Sequence, residues 1–597
     1  MSLTSREIAE EASFQAFLNC YVREVEPGQW YPQTTPSSGP LWHLALPLKQ
    51  HQGRLWVEVH YRSLAGRHRF GQAWLLMGES EETRLGPLNP FTALLLLTQE
   101  AYRGYLQGSG VDTHACELEM LYRLVDSWQM MAAYLQPAMQ RATPCPSQQR
   151  FIEAEQSLVY GHWLHPTPKS RQGMADWQQS LYAPELGGRF QLHWFAAPRQ
   201  LIAEGGLPGV QLAQLVEDLL GEDQPDLAAG EGLLPVHPLQ AQWLLEQPWL
   251  QPLLQEGRLR SLGPLGREFS ATSSVRTLYA ADCAWMLKCS IPVRVTNSVR
   301  VNRAHELEAG VAMQQLLDRS AALSRYPSLR LLADPAYLTL KIAERAESGF
   351  EVIFRENPFT PEDKGVITLA ALCADPLPGQ ASALAILLSQ LAEREGRSLE
   401  QVASQWLERY LQISFIPLIS LYSDEGLALE AHQQNSLVDV SQGYPGCYYY
   451  RDNQGYYLSQ SQQARICALV PGIEQIPALF FSDEQIQQRF AYYLLINQLG
   501  GLISRLGNDQ LLDEAYALSL VVRSLSRLRP SLGALGRSFI DYLLSHQQIP
   551  AKGNLLTRLY DVDELEASNE QAVYSLIDNP LLLAEVVALQ EPDYAVA

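Results

Sequence analysis

The chain has 597 residues, 47% hydrophobic and 18% charged, which excludes wholesale disorder and leaves ample material for a core. With 44 Lys and Arg against 65 Asp and Glu the net charge is −21, which makes the chain a poor candidate for non-specific binding to nucleic acid or to an anionic membrane. At about 150 residues per domain the length suggests about four units, and two or three larger ones fit equally well.

Thr4-Ser5-Arg6-Glu7 reads as a capping box that opens a helix carrying Ile8, Ala12 and Phe17 on one side. Leu55, Val57, Val59 and Tyr61 alternate with Trp56, Glu58 and His60, the pattern of a half-buried strand. A turn at Ser63 to Gly66 leads to a second strand near Phe70 to Met77, and residues 117–136 read as helical. Residues 138–150 are rich in Pro, Ser and Gln and suggest a linker.

Strands dominate from about 185 to 360: Phe190 to Phe195, Met286 to Val295, Tyr337 to Ile342 and Phe350 to Phe354, interrupted by one helix, Ala304 to Arg319. A Pro-rich stretch over 357–383 marks a second boundary. Helical periodicity then fills 382–395, 398–421, 484–505, 511–528 and 534–548, around a β-like insert at 435–458. The expected fold is α+β in three parts: an N-terminal α/β domain (1–150), a β-rich middle domain (151–383) and a mostly helical C-terminal domain (384–597).

The eight cysteines are scattered without a C-x-x-C pair, which argues against a disulfide framework or zinc knuckle and for a reducing compartment. The N-terminus lacks a signal-peptide pattern, and the longest strongly apolar run, Ala93 to Leu97, is far short of the ~20 residues a spanning helix needs. A cytoplasmic protein with neither membrane nor nucleic-acid partners is expected. P-loop, Rossmann, nucleophile-elbow, H-E-x-x-H and kinase signatures are absent from the sequence.

Four clusters carry candidate chemistry. The first, Gly161 to Gly173, holds His162, His165, Lys169 and Arg171 with no acid, and Pro166 and Pro168 keep it extended. Such a stretch can present cationic donors to an anion, or it is simply a solvated basic loop. The second, Thr272-Ser273-Ser274-Val275-Arg276-Thr277, sets hydroxyls beside a guanidinium, a combination suited to phosphate or carboxylate oxygens or to a plain polar turn.

The third spans Arg276 to Arg303, where five basic residues and one acid give a local charge of +4. Lys288 lies between Leu287 and Cys289 in an apolar strand, where an unpaired charge is costly. A polyanionic ligand would offset that cost, as would an Asp or Glu from elsewhere in the chain. The fourth joins Glu430 to Asn435 with Tyr448 to Asp452. Glu430 and Asp452 are candidate hard-oxygen ligands for Mg²⁺, or else a polar helix end and a surface strand. The sum fits an enzyme that uses a Mg²⁺-nucleotide and an acidic second substrate.

These motifs, in this order, resemble the NRPS-independent siderophore synthetases of the IucA/IucC family. The GH-x-x-HP-x-x-K-x-R-x-G run, the SS-x-RT run, the K-x-S…R-x-TNS-x-R segment, the HQQN run and the YRD run extend from about Glu153 to Arg558. The resemblance implies a three-domain cradle, often a homodimer. It also implies ATP-dependent adenylation of a carboxylate of citrate or a related polycarboxylate, followed by attack of an amine or hydroxyl to give an amide or ester.

By the same resemblance Ser274, Arg276, Thr277, Lys288, Gln434, Asn435, Asp452 and Lys552 contact ATP, and Glu430 joins Asp452 at Mg²⁺. His165, Thr296, Arg300 and His432 hold the carboxylate substrate. Lys288 and Arg300 stabilise charge at the α-phosphate, with His165 as candidate proton acceptor, while His162, Lys169 and Arg171 support the first loop. The C-terminal third also resembles ferric-siderophore reductases, yet it lacks their CC-x-x-C cluster ligands. Two rival readings are a non-catalytic binding protein for citrate, nucleotide or siderophore, and a phosphotransferase that releases ADP.

Overall fold

Thr4 caps the first helix, Ser5–Glu24, as the capping box predicts: its hydroxyl accepts from the Glu7 amide, and the Glu7 carboxylate accepts from the Thr4 amide. The structure, a computed structural model, describes residues 3–32, 42–77, 84–105, 113–320, 323–343, 345–452, 454–562 and 573–589. The helix buries Phe14, Phe17 and Leu18 against Leu55, Val57 and Val59, the inward set of the strand Gly53–Tyr61. That strand lies at the centre of a five-stranded antiparallel sheet that runs in chain order from Gln29–Pro32 to Arg84–Leu88. The helices Pro90–Glu100 and Thr113–Ala138 complete this region.

The middle of the chain forms an eight-stranded antiparallel sheet. Its order is Ile202–Gly206, Ala336–Leu340, Val352–Glu356, Trp285–Cys289, Thr277–Tyr279, Arg260–Ala271, Phe190–Pro198 and Glu231–Val236. Trp194, Phe195, Phe269, Leu287 and Phe354 fill its core. The helix Ala304–Arg319 falls where its periodicity predicts. Three further helices, Leu212–Leu220, Pro238–Leu245 and the short Gln251–Gln255, lie where the sequence suggests only strands around one helix.

The expected strand Met286 to Val295 is two strands. It ends at Cys289, and the chain resumes pairing only at Arg294–Val295. Pro292 lies in the gap and has no N–H to donate to a ladder. The second piece pairs on one side with Ser298–Val299 and on the other with Arg171–Gln172. This small sheet ties the end of the first basic loop to the Thr296-Asn297 turn.

Seven helices expected or partly expected from periodicity build the C-terminal part: Ala383–Glu395, Leu399–Tyr410, Ile416–Glu425, Asp483–Ala491, Gly500–Asn508, Glu514–Leu528 and Ala534–Ser545. The expected helices over 398–421 and 484–505 are each interrupted by a π-helical segment, at Leu411–Phe415 and Tyr492–Leu499. The β-like insert is real, with strands Ser436–Asp439, Cys447–Tyr450 and Tyr456–Ser459. Leu329–Leu331 joins this insert in parallel with Cys447–Tyr450, and Val366–Thr368 pairs with Ser436–Asp439, so one sheet takes strands from both sides of residue 383. Among the described residues no helix is long and apolar enough to cross a membrane.

Candidate active site

A cavity of about 1400 Å³ is bordered by residues from all three stretches of the chain, and every site residue singled out from the sequence lines it. That exceeds the ~300–1,000 Å³ of a usual small-molecule pocket, so it has room for a nucleotide beside a second substrate.

The hydroxyl turn is a tight connection between the strands Arg260–Ala271 and Thr277–Tyr279. Its ends are tied by the Thr272 amide to the Thr277 carbonyl at 2.8 Å. The Ser274 hydroxyl accepts from the Thr277 amide at 3.1 Å. Val275 is forced to φ +67°, rare for a β-branched residue. Strain of this kind is held where surrounding structure over-determines it. Arg276 is buried, with its guanidinium on the Val301 carbonyl and Asn302 Oδ1 at 3.0 Å and on Gln454 Oε1 at 3.1 Å. Burial pushes it down to about 10, so it stays a cation at neutral pH.

Lys288 lies opposite Thr277 in the sheet register. Its ammonium donates to Asp452 Oδ1 at 3.1 Å. The buried cation therefore has a carboxylate partner from 164 residues away, the second of the two ways its burial could be offset. Burial lowers Lys288 to about 8 against the opposing pull of Asp452. Burial alone would raise Asp452, but Lys288 and then Arg355 outweigh it and hold the carboxyl well below its usual range. Arg355 is itself fixed by a two-pronged pair with Asp334 at 2.7 and 2.8 Å.

Thr296 also has a left-handed backbone, at φ +58°. Its hydroxyl accepts from Arg300 Nη2 at 2.6 Å, and the Val295 carbonyl accepts from the same guanidinium at 2.9 Å. Next to it, Asn297 Oδ1 lies 2.9 Å from His165 Nε2, while His165 Nδ1 accepts from the Thr167 amide at 3.1 Å.

Beside these cations, Glu430 and Asp452 flank Gly455: a Cβ there would lie 2.5 Å from Glu430 Cβ and 3.4 Å from Asp452 Oδ2. Asn435 Nδ2 donates to Asp452 Oδ2 at 3.2 Å, and Gln434 Nε2 donates to the Ser273 hydroxyl at 3.2 Å. His432 accepts the Asn435 amide on Nδ1 and is pushed down to about 4 by burial. His162 is pushed down to about 3 by burial and then by neighbouring His165, His432 and Lys552. Both rings are therefore neutral near pH 7. Lys552 ends the strand Gln548–Lys552 and joins this wall. Among the described residues no three His, Cys, Asp or Glu are placed to hold a metal, but a carboxylate pair suits Mg²⁺, whose other positions go to phosphate and water.

The basic loop does not work as a set of open cations. Lys169 and Arg171 are buried on one carboxylate, Glu185, with Arg171 Nη2 at 2.6 Å from it, and Arg171 Nη1 donates to the Tyr134 hydroxyl at 2.8 Å. The acid missing from the loop's own sequence lies 14 residues beyond Arg171. The loop is further pinned to the helix Thr113–Ala138 by Ser170 and the Arg171 amide on Asp126.

Sequence reasoning passes over several residues of this site. Glu155 is buried and accepts from the Ser273 amide at 3.0 Å and from Arg451 at 2.9 Å on both oxygens, which clamps the hydroxyl turn to the YRD strand. Asn297 and Arg451 stand inside the motifs, yet the motifs alone assign them no role. Asn554 donates to the Leu164 carbonyl at 2.6 Å.

Comparison with known proteins places the chain in a family. Residues 150–374 match the IucA / IucC family, and residues 404–567 match the ferric iron reductase FhuF-like transporter family. The chain is 37% identical to a spermidine-citrate ligase of Bacillus anthracis over 97% of its own length and 98% of that protein's. It belongs to the IucA/IucC family of siderophore synthetases. A second relative, the rhizobactin siderophore biosynthesis protein RhbC of Rhizobium meliloti, is 35% identical over 97% of this chain and 98% of its own. The fold matches the ATP-bound aerobactin synthetase IucA of Klebsiella pneumoniae with a TM-score of 0.84 and 27% identity, over 96% of this chain and 99% of that one. The family is thus one of mixed α/β, ATP-dependent ligases.

Proposed function

We propose that this synthetase adenylates a carboxylate of citrate and passes the acyl group to an amine, making an amide of a citrate-based siderophore. The observation that carries the reading is the convergence of Arg276, Lys288, Arg300 and Lys552 on one cavity of an acidic protein, facing Glu430 and Asp452. The relative that ligates spermidine to citrate supports citrate and an amine as the two co-substrates.

In the first step a carboxylate oxygen attacks the α-phosphorus of ATP, the bond to the β-phosphate breaks and pyrophosphate leaves. Arg276, Lys288 and Arg300 stabilise the charge that gathers around the transferring phosphorus, and such fixed electrostatic stabilisation is the main source of rate in chemistry of this kind. Ser274 and Thr277 add hydroxyl donors, and Thr296 and His432 help hold the polycarboxylate. Glu430 and Asp452 would hold Mg²⁺, which would supply charge neutralisation to the phosphates. In the second step the amine nitrogen attacks the acyl carbon, AMP departs, and the nitrogen sheds its proton to water or to the leaving phosphate. Proximity supplies most of that rate. The three-part division at about 150 and 383, arranged as a cradle, and a homodimer complete the proposal.

Incubation with ATP, Mg²⁺, citrate and spermidine tests it. The expected products are AMP, pyrophosphate and a citryl amide in equal amounts. ADP as the nucleotide product, or nucleotide held without turnover, would replace the proposal with a phosphotransferase or a binding protein.

A further inference from the structure

His165 stands at one end of a buried chain of hydrogen bonds whose direction is fixed at both ends by the backbone. The Leu164 carbonyl can only accept, so the amide nitrogen of Asn554 faces it, at 2.6 Å. Asn554 Oδ1 then faces Asn297 and takes a bond from Asn297 Nδ2 at 3.3 Å. That leaves Asn297 Oδ1 toward His165 Nε2, at 2.9 Å, where only a donor satisfies it. From the other end the Thr167 N–H can only donate, and it donates to His165 Nδ1 at 3.1 Å. The two ends agree on one tautomer, with the proton on Nε2. His165, Asn297 and Asn554 are 2%, 3% and 7% exposed, so water does not readily replace these bonds.

We infer that Asn554 is a positioning residue for this reaction: through Asn297 it holds the Thr296 turn that bears on Arg300, and it keeps His165 a neutral Nε2–H donor instead of a proton acceptor. The turn needs such support, because Thr296 sits at φ +58°. Asn554 is placed in turn by the N-terminal region. Glu24, at the end of the first helix, accepts the Leu556 amide at 2.9 Å at the start of the short helix Asn554–Leu559. Arg558, from the same short helix, donates to the Asn297 carbonyl at 3.2 Å. The first helix thus bears on Asn554 through Glu24.

The kinetic part of this inference rests on the adenylation reading; the tautomer does not. Protein labelled with ¹⁵N-histidine, with His165 assigned by its loss in His165→Gln, is expected to show the Nε2–H tautomer at neutral pH without any substrate. An Nδ1–H ring or an imidazolium would overturn the inference. Asn554→Asp turns the donor that faces the Leu164 carbonyl into an acceptor. It is expected to disturb the His165 tautomer and to lower kcat for pyrophosphate release about tenfold to a hundredfold while KM for ATP changes little. A folded Asn554→Asp protein with an unchanged His165 signal and unchanged kcat would also overturn it.

Discussion

Lys288 keeps a charge inside the protein because Asp452 accompanies it, and the same pair sets how the site responds to pH. Its acid constant, lowered to about 8, means that raising pH through that value removes a cation from the proposed phosphate wall. KM for ATP is therefore expected to rise between about pH 8 and pH 10. His162 and His432 are already neutral at neutral pH, so neither adds a limb to the rate profile near 6–7. Arg300→Ala is expected to abolish pyrophosphate release with the fold intact, read by circular dichroism alongside the assay; near-normal turnover would remove it from the phosphate wall. Asp452→Asn is expected to raise the Mg²⁺ concentration needed for half-maximal rate, and an unchanged requirement would free Asp452 of that role. The cavity residues singled out from the sequence stand out because each lies in a short run of matching chemistry. Their partners are not: Glu155 meets Arg451 across 296 residues and Asn554 meets Leu164 across 390, separations that only folding closes.

Elements of the fold explain which local readings survive. The first helix and Ala304–Arg319 are signalled by short-range chemistry, a capping box and a clean helical period, so the start of the one and both limits of the other follow from sequence. Met286 to Val295 reads as one strand because its apolar pattern is continuous, yet the ladder stops at Cys289 and the second piece, beyond Pro292, joins a different sheet. Likewise the basic loop reads as open because its counter-ion, Glu185, lies outside the run. Glu185→Gln would strand two buried cations and is expected to cost about 3–5 kcal/mol, read as a fall in the urea midpoint. Retained stability would mean that Lys169 and Arg171 find other partners. Glu24 offers a second test at this scale. Burial raises it to about 8, against the pull of the helix amides it accepts. The folded protein then binds a proton there more tightly than the unfolded chain between about pH 4.5 and 8, so stability falls as pH rises through that window. Glu24→Gln should flatten that slope in melting curves taken from pH 5 to 8; an unchanged slope would assign it to other groups.

The molecule as a whole surrounds one cavity with parts that differ in sequence character. The middle sheet supplies the hydroxyl turn and the cationic strand, the C-terminal part supplies the carboxylates and Lys552, and the N-terminal part braces both. That division explains why the motifs reveal the chemistry and not the architecture: bracing needs shape and buried pairing, which leave no compact signature. A net charge of −21 also makes the basic wall a local field within a repulsive surround, so anionic substrates bind only where cations converge. The most direct test of the central claim is exchange of labelled pyrophosphate into ATP with citrate and Mg²⁺ and no amine. Exchange that requires citrate is the predicted result, since a reversible acyl-adenylate forms before the nucleophile acts. Folded enzyme that makes citryl amide from citrate and an amine, yet shows no citrate-dependent exchange and yields ADP, would contradict the account.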